Sequence, residues 1–167
     1  VALSRRIVAT LPNDDRSPEA RAFMASSLHD LANRLSDVGD RQAALAPAHE
    51  AVDICRELVA HKHGSLRPKL AMSLSSLAKR LRALGNRQGA LMAAREAIEI
   101  RRELATNSPD VFSSHLADSL NDLGVLLSEL GDRQGALGPA CEAVEIYRAL
   151  AANNPDAFRP NLAGGLN

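Results

Sequence analysis

Cys55, His61 and His63 are the residues of this 167-residue chain whose types best suit a metal. Thiolate and imidazole both ligate zinc, but a structural site needs three or four such groups converging, usually from paired spacings. The His61-Lys62-His63 run has no second pair to meet, so no metal is expected. Glu50, Glu96 and Glu142, beside Arg56, Arg102 and Arg148, are the candidates for acid–base work. They return every 46 residues, which is how structural positions behave. A catalytic group would break that register. There is no glycine-rich phosphate loop and no nucleophile motif. The expectation is a chain with no catalytic residues and no cofactor.

Composition narrows the partners. Twenty basic and twenty acidic side chains cancel to a formal net charge of zero. A nucleic-acid or anionic-membrane partner calls for a clustered positive surplus, so neither is expected. No apolar run approaches the roughly 20 residues that span a bilayer, and the opening Val1-Ala2-Leu3-Ser4-Arg5-Arg6 is not built like a signal peptide. The two cysteines, Cys55 and Cys141, fall at different places in the 46-residue register, which suits free thiols in a reducing, cytoplasmic compartment. Aromatics are limited to Phe23, Phe112, Phe158 and Tyr147, so cores must be built from Leu, Ala, Ile and Val.

The elements behind these positions follow from the period. Gly39-Asp40-Arg41-Gln42-Ala43-Ala44-Leu45 returns at Gly85 and again at Gly131 with few changes. A fixed period in this range means a stacked repeat array. Each repeat reads as two helices. The first carries Leu28, Leu31, Ala32 and Leu35, matched by Leu74, Leu77, Ala78 and Leu81 and by Leu120, Leu123, Gly124 and Leu127. Spacings of three, one and three place each set on one helical face. The glycine that follows closes the helix in the left-handed conformation. Asp40, Asn86 and Asp132 come next as N-caps, so a turn of one or two residues joins antiparallel helices. The second helix carries Ala44, Leu45, Ala48, Ala51, Val52 and Ile54, with the same set around Leu91 and Leu137. Alanine at the contact points permits close helix approach. Pro47 and Pro139 are expected about seven residues into the second helix, where a missing N–H bends it.

These residues resemble the tetratricopeptide repeat, through Leu-x-x-Leu-Ala/Gly-x-x-Leu in the first helix and Ala-Leu-x-x-x-Ala-x-x-Ala in the second. Leu123-Gly124, Ala136 and Ala143 match the family's Leu-Gly and its two alanines. Leu120, Leu127 and Ala140 stand where the family usually has aromatics. The 46-residue period is similar to the long repeats of kinesin light chain. The resemblance implies an all-α fold, an α-α superhelix of antiparallel helix pairs, spanning residues 1–167 as one array. Its parts are the tail of a preceding second helix with a linker (1–16), repeats at 17–62, 63–108 and 109–154, and the start of a further first helix (155–167).

The resemblance further implies that first helices line a concave face. Its inward positions are His29, Asn33 and Ser36, then Ser75, Lys79 and Arg82, then Asn121, Val125 and Ser128. Such a face takes a protein or peptide, as an extended segment or a partner helix. Some members hold a C-terminal carboxylate with paired Lys/Arg and Asn. Lys79, Arg82, Asn33 and Asn121 are the residues here that match, and Val125 interrupts the set. Arg67, Lys69, Lys79, Arg80 and Arg82 make the middle first helix basic, whereas Asp118, Asp122 and Glu129 make the third acidic. That asymmetry serves either charge pairing between adjacent helices, at about 0–1 kcal/mol per exposed pair, or capture of an acidic peptide. Two other functions stay open. Leu3 and Ile7 with Leu162 and Leu166 suit a homo-oligomer stacked through the array ends. Similar arrays also serve as sensor segments of larger NTPases or proteases.

Overall fold

The chain divides into two compact units, Val1–Gly85 and Asn86–Asn167. The computed structural model describes residues 17–61 and 63–153. The helix tail expected before residue 17 and the helix start marked by Leu162 and Leu166 lie outside them. Every regular element among the described residues is helical.

The first unit holds α1 (Pro18–Asp37), α2 (Leu45–Ala60), a short 3-10 turn (Gly64–Leu66) and α3 (Arg67–Ala83). Pro18 opens α1 where its missing N–H costs nothing, and the Ser17 Oγ accepts from the Ala20 N–H at 3.1 Å. α1 packs on α2, and α2 on α3. The second unit holds α4 (Arg87–Asn107), α5 (Pro109–Glu129) and α6 (Arg133–Asn153). There α4 packs on α5, and α5 on α6.

Each first helix ends as the glycine register requires. Gly39, Gly85 and Gly131 take φ of 87°, 80° and 85°. At Gly39 the glycine N–H donates to the Ser36 carbonyl at 3.0 Å, and the Asp40 N–H to the Leu35 carbonyl at 2.9 Å. Gly131 and Asp132 make the same two bonds, to Ser128 and Leu127, both at 3.0 Å. This is the Schellman pattern, which satisfies carbonyls the helix leaves open. Because it adds a C-cap residue before the glycine, the turns at 84–86 and 130–132 are three residues long rather than one or two. The caps follow: the Asn86 Oδ1 accepts from the Gly89 N–H at 3.0 Å, and the Asp132 Oδ1 from the Gly135 N–H at 2.8 Å.

Repeat one departs from its siblings. Asp40 still caps, accepting the Ala43 N–H at 3.0 Å, but residues 41–44 form a turn and α2 begins only at Leu45. Pro47 therefore lies in the first turn of α2 and not seven residues in. Having no N–H to offer the Ala43 carbonyl, it stops the helix from running back to Arg41. Pro139 does lie inside α6, as the seventh residue of the helix that starts at Arg133.

The expected core is largely buried, with Leu74, Val52 and Cys55 fully enclosed in the first unit and Leu120 in the second. Two leucines depart. Leu31 is 44% exposed although Leu77 and Leu123 are buried, and Leu137 is 55% exposed although Leu91 is buried. The face of α3 that holds Leu77 packs on α2, whereas among the described residues no helix precedes α1 to cover Leu31. Likewise α5 covers Leu91 on α4, and no described helix follows α6.

Gly124 serves a different purpose from the turn glycines. A Cβ there would meet the Ala136 carbonyl at 3.4 Å and the Ala140 Cβ at 3.7 Å. This glycine lets α5 and α6 approach closely, with Ala140 in place of a bulkier side chain. At Gly39, Gly85 and Gly131 a Cβ would meet nothing within 4 Å, so conformation alone requires them.

Two outcomes follow for chemical denaturation. Leu123→Ala should cost about 2–5 kcal/mol, while Leu31→Ala should cost well under half of that; equal losses would mean the helix faces are misassigned. Gly131→Ala should cost roughly 1–2 kcal/mol for the left-handed strain, with Gly131→Asn recovering part of it.

Candidate functional site

The nine expected inward positions divide between the units. His29, Asn33 and Ser36 lie on α1, Ser75, Lys79 and Arg82 on α3, and Asn121, Val125 and Ser128 on α5. None is buried. Six are half-buried, and Lys79, Val125 and Ser128 are exposed. The Ser36 hydroxyl donates to the Ala32 carbonyl of its own helix at 2.9 Å.

In the first unit a polar seam ties α1 to α3. The Lys69 ammonium donates to the Ser26 Oγ at 2.5 Å and to the Ala22 carbonyl at 3.2 Å. The Arg80 guanidinium donates to the Asn33 Oδ1 at 2.6 Å and to the Ser76 carbonyl at 2.9 Å. Arg80 is only 8% exposed, and its Nε is buried without a partner. Burial lowers its pKa from the ordinary value, and Asp37 opposes that. Ser26, His29 and Asn33 follow one another at spacings of three and four, so they share a face of α1. His29 thus sits between the two bridging cations. Its pKa is lowered first by burial, then by Arg80, with Lys69 adding to the effect and Asp30 opposing it.

The second helices reach a neighbouring first helix through one repeated position, the following one in the first two cases and the preceding one in the third. In the first unit Cys55 of α2 meets Ser73 of α3; burial pushes the thiol pKa up, while the Ser73 hydroxyl and Lys69 oppose it. In the second unit the same position is Arg101 of α4, which donates to the Ser119 Oγ and, at 3.1 Å, to the His115 carbonyl of α5. Burial lowers its pKa, and Asp118 and Asp122 counter the shift. Tyr147, again one period on, donates its hydroxyl to the Asp118 carboxylate. Ion pairs also form between helices: Arg21 with Glu57, and Arg102 with Glu142 at 2.5 Å. The latter joins α4 to α6, the second helices of successive repeats, and gives the recurring glutamate a structural use. Ser26, Arg101, Ser119 and Tyr147 lie outside the expected set. Among the described residues no three His, Cys, Asp or Glu side chains cluster as metal ligands. No described helix is long and apolar enough to cross a membrane.

A tetratricopeptide repeat model matches residues 24–64, 70–110 and 116–156, three times in the 46-residue register. The chain belongs to the tetratricopeptide repeat family. Its repeats are of the long, kinesin-light-chain type, and its fold class is the all-α superhelix of helix pairs. Among solved structures, BtubC (BKLC) from P. vanneervenii is similar over 89% of this chain and 53% of its own, at 21% identity and a TM-score of 0.59. The chain therefore spans about half the length of BtubC. MamA is similar over 97% of this chain and 80% of its own, at 15% identity and a TM-score of 0.48. A search of curated proteins finds no match. Tetratricopeptide repeats are in general protein-interaction scaffolds without chemistry of their own.

Two measurements probe the seam. Asn33→Ala removes an acceptor from a buried cation and should destabilise by about 1–3 kcal/mol in urea unfolding; a smaller loss would mean that water replaces the bond. Because folded His29 resists protonation, the unfolded chain takes up that proton first as pH falls through 6.5. The contribution of His29 is therefore nil well above that pH, turns destabilising below it and levels off once the folded form also titrates. Thermal melts at neutral and mildly acidic pH should show a smaller loss for His29→Gln than for the parent.

Proposed function

We propose that this chain is a non-catalytic protein-interaction scaffold, a segment of a longer cytoplasmic protein that binds a peptide or a partner helix. In this reading its repeats run 17–62, 63–108 and 109–154, and the first helices present the concave face through His29, Asn33, Ser36, Ser75, Lys79, Arg82, Asn121, Val125 and Ser128. The observation that carries it is the run of three consecutive family matches along the chain. The accessibility of all nine positions supports it, because side chains meant for a partner have to stay outside the core. Balanced charge supports a protein partner over nucleic acid or an anionic membrane. Half-buried hydroxyl, amide and imidazole groups suit the main chain of an extended segment, which offers a donor and an acceptor at each residue.

Exposed Leu31 and Leu137 favour a second reading, in which copies stack end to end through these faces. A mass independent of concentration in light scattering would remove it.

For the first reading, a displayed random-peptide library should yield sequences that bind the chain. Lys79→Glu with Arg82→Glu, or Asn121→Arg with Ser128→Arg, should weaken them at least tenfold without changing the melting temperature. Equal binding by both double variants would place the interaction elsewhere.

A further inference from the structure

We propose that the seam between α1 and α3 is a docking surface for an acidic segment of a partner protein, with a partner carboxylate set over His29 between Lys69 and Arg80. This rests on the scaffold reading and adds the partner's charge and its place.

The charge is concentrated and local. α3 carries Arg67, Lys69, Lys79, Arg80 and Arg82 and no carboxylate. α1 adds Glu19, Asp30 and Asp37 against Arg21 and Arg34, which leaves the helix pair strongly positive. The same helix one period later, α5, has Asp110, Asp118, Asp122 and Glu129 and neither Lys nor Arg. His115 and Leu126 replace Lys69 and Arg80 in that register. A net positive charge that belongs to one helix and vanishes in its near-copy is not part of the framework the repeats share.

The seam's two cations are hydrogen-bonded but not neutralised by contact. Lys69 bonds a hydroxyl and a carbonyl, and Arg80 an amide oxygen and a carbonyl. These partners satisfy the N–H groups and leave the charge standing. The carboxylates acting on the seam, Asp30 on His29 and Asp37 on Arg80, are exposed and bond neither cation. Half-buried His29 registers the balance, since Arg80 and Lys69 together push against its protonation and only Asp30 favours it. A carboxylate arriving there is drawn by both cations and meets an imidazole that donates an N–H. Buried Arg80 acts through its field, and half-buried Lys69 turns its ammonium toward the newcomer.

Bound carboxylate reverses the field at His29, so the complex takes up a proton that the free chain refuses. Affinity should therefore rise as pH falls from about 7.5 to 5.5, above the ordinary glutamate range near 4.3.

The test uses the full chain and a fluorescein-labelled peptide of alternating Glu and Ser, with a Gln/Ser peptide of equal length, read by fluorescence anisotropy. The Glu/Ser peptide should bind and the Gln/Ser peptide should not. Lys69→Gln should weaken binding roughly two- to fivefold, Lys69→Arg should restore it, and His29→Gln should abolish the rise on acidification. Equal binding of both peptides, full affinity in Lys69→Gln, or an undiminished pH response in His29→Gln would overturn the proposal. So would a single-stranded oligonucleotide that displaces the peptide as well as unlabelled peptide does. If library-selected peptides bind the chain but the Glu/Ser peptide does not, the acidic docking fails while the scaffold reading survives. If no peptide of either origin binds, both fail.

Discussion

Each second helix among the described residues takes its phase from the left-handed glycine that closes the first helix before it. At Gly39 and Gly131 the reversal is held by two backbone bonds, and at all three glycines φ is near +80° to +87°. Only a residue without a Cβ adopts that conformation without strain. Once the helix stops at that residue, the next side chain is placed to cap the following helix. The alanines beyond it then fall at fixed angles. Where the chain changes, the consequence stays local. Pro47 delays the start of α2, yet Ala48, Ala51, Val52 and Cys55 still reach the core because the delay alters where the helix begins and not its phase.

The architecture was legible in the sequence because it is written three times. Leucines at three, one and three, the glycine, the cap and the alanine ladder recur together, and chance does not reproduce a phrase at equal spacing. The two misread leucines share one cause. A repeat pattern describes an average unit, and Leu31 and Leu137 occupy average positions in units that lack a described neighbour on one side. Periodicity states which face a residue is on; whether that face is covered depends on what packs against it.

The polar contacts were illegible for a complementary reason. Arg80 to Asn33 and Lys69 to Ser26 join residues 47 and 43 apart, close to but not at the period. No comparison of equivalent positions reveals them. Cys55, Arg101 and Tyr147 were at equal spacing, yet their chemistry differs so much that the position reads as noise. In the structure it is a contact point: each reaches a neighbouring first helix, and in the first two cases it meets a serine there, Ser73 or Ser119. The signal available was the contrast itself. A position that varies among thiol, guanidinium and phenol, inside helices otherwise nearly alike, is one where each interface has been solved separately.

The same contrast bears on where specificity resides. In a repeat array the recurring residues are consumed by the fold, since each neighbour interface needs the same leucines, alanines and glycine. Partner choice is left to the positions that differ. Between α3 and α5 the core face is conserved in type, Leu74, Leu77 and Leu81 against Leu120, Leu123 and Leu127, all buried. Meanwhile the charged positions change from five cations without a carboxylate, one of them the buried Arg80, to four carboxylates without a cation. Exposed charges contribute little to stability either way, so the bridges made by Lys69, Arg80 and Asp118 account for only part of that exchange. Recognition does give a reason: charge fixes the register of a bound segment and repels wrong partners more strongly than it adds affinity. The charges on α3 and on α5 would therefore select different segments, each within its own unit.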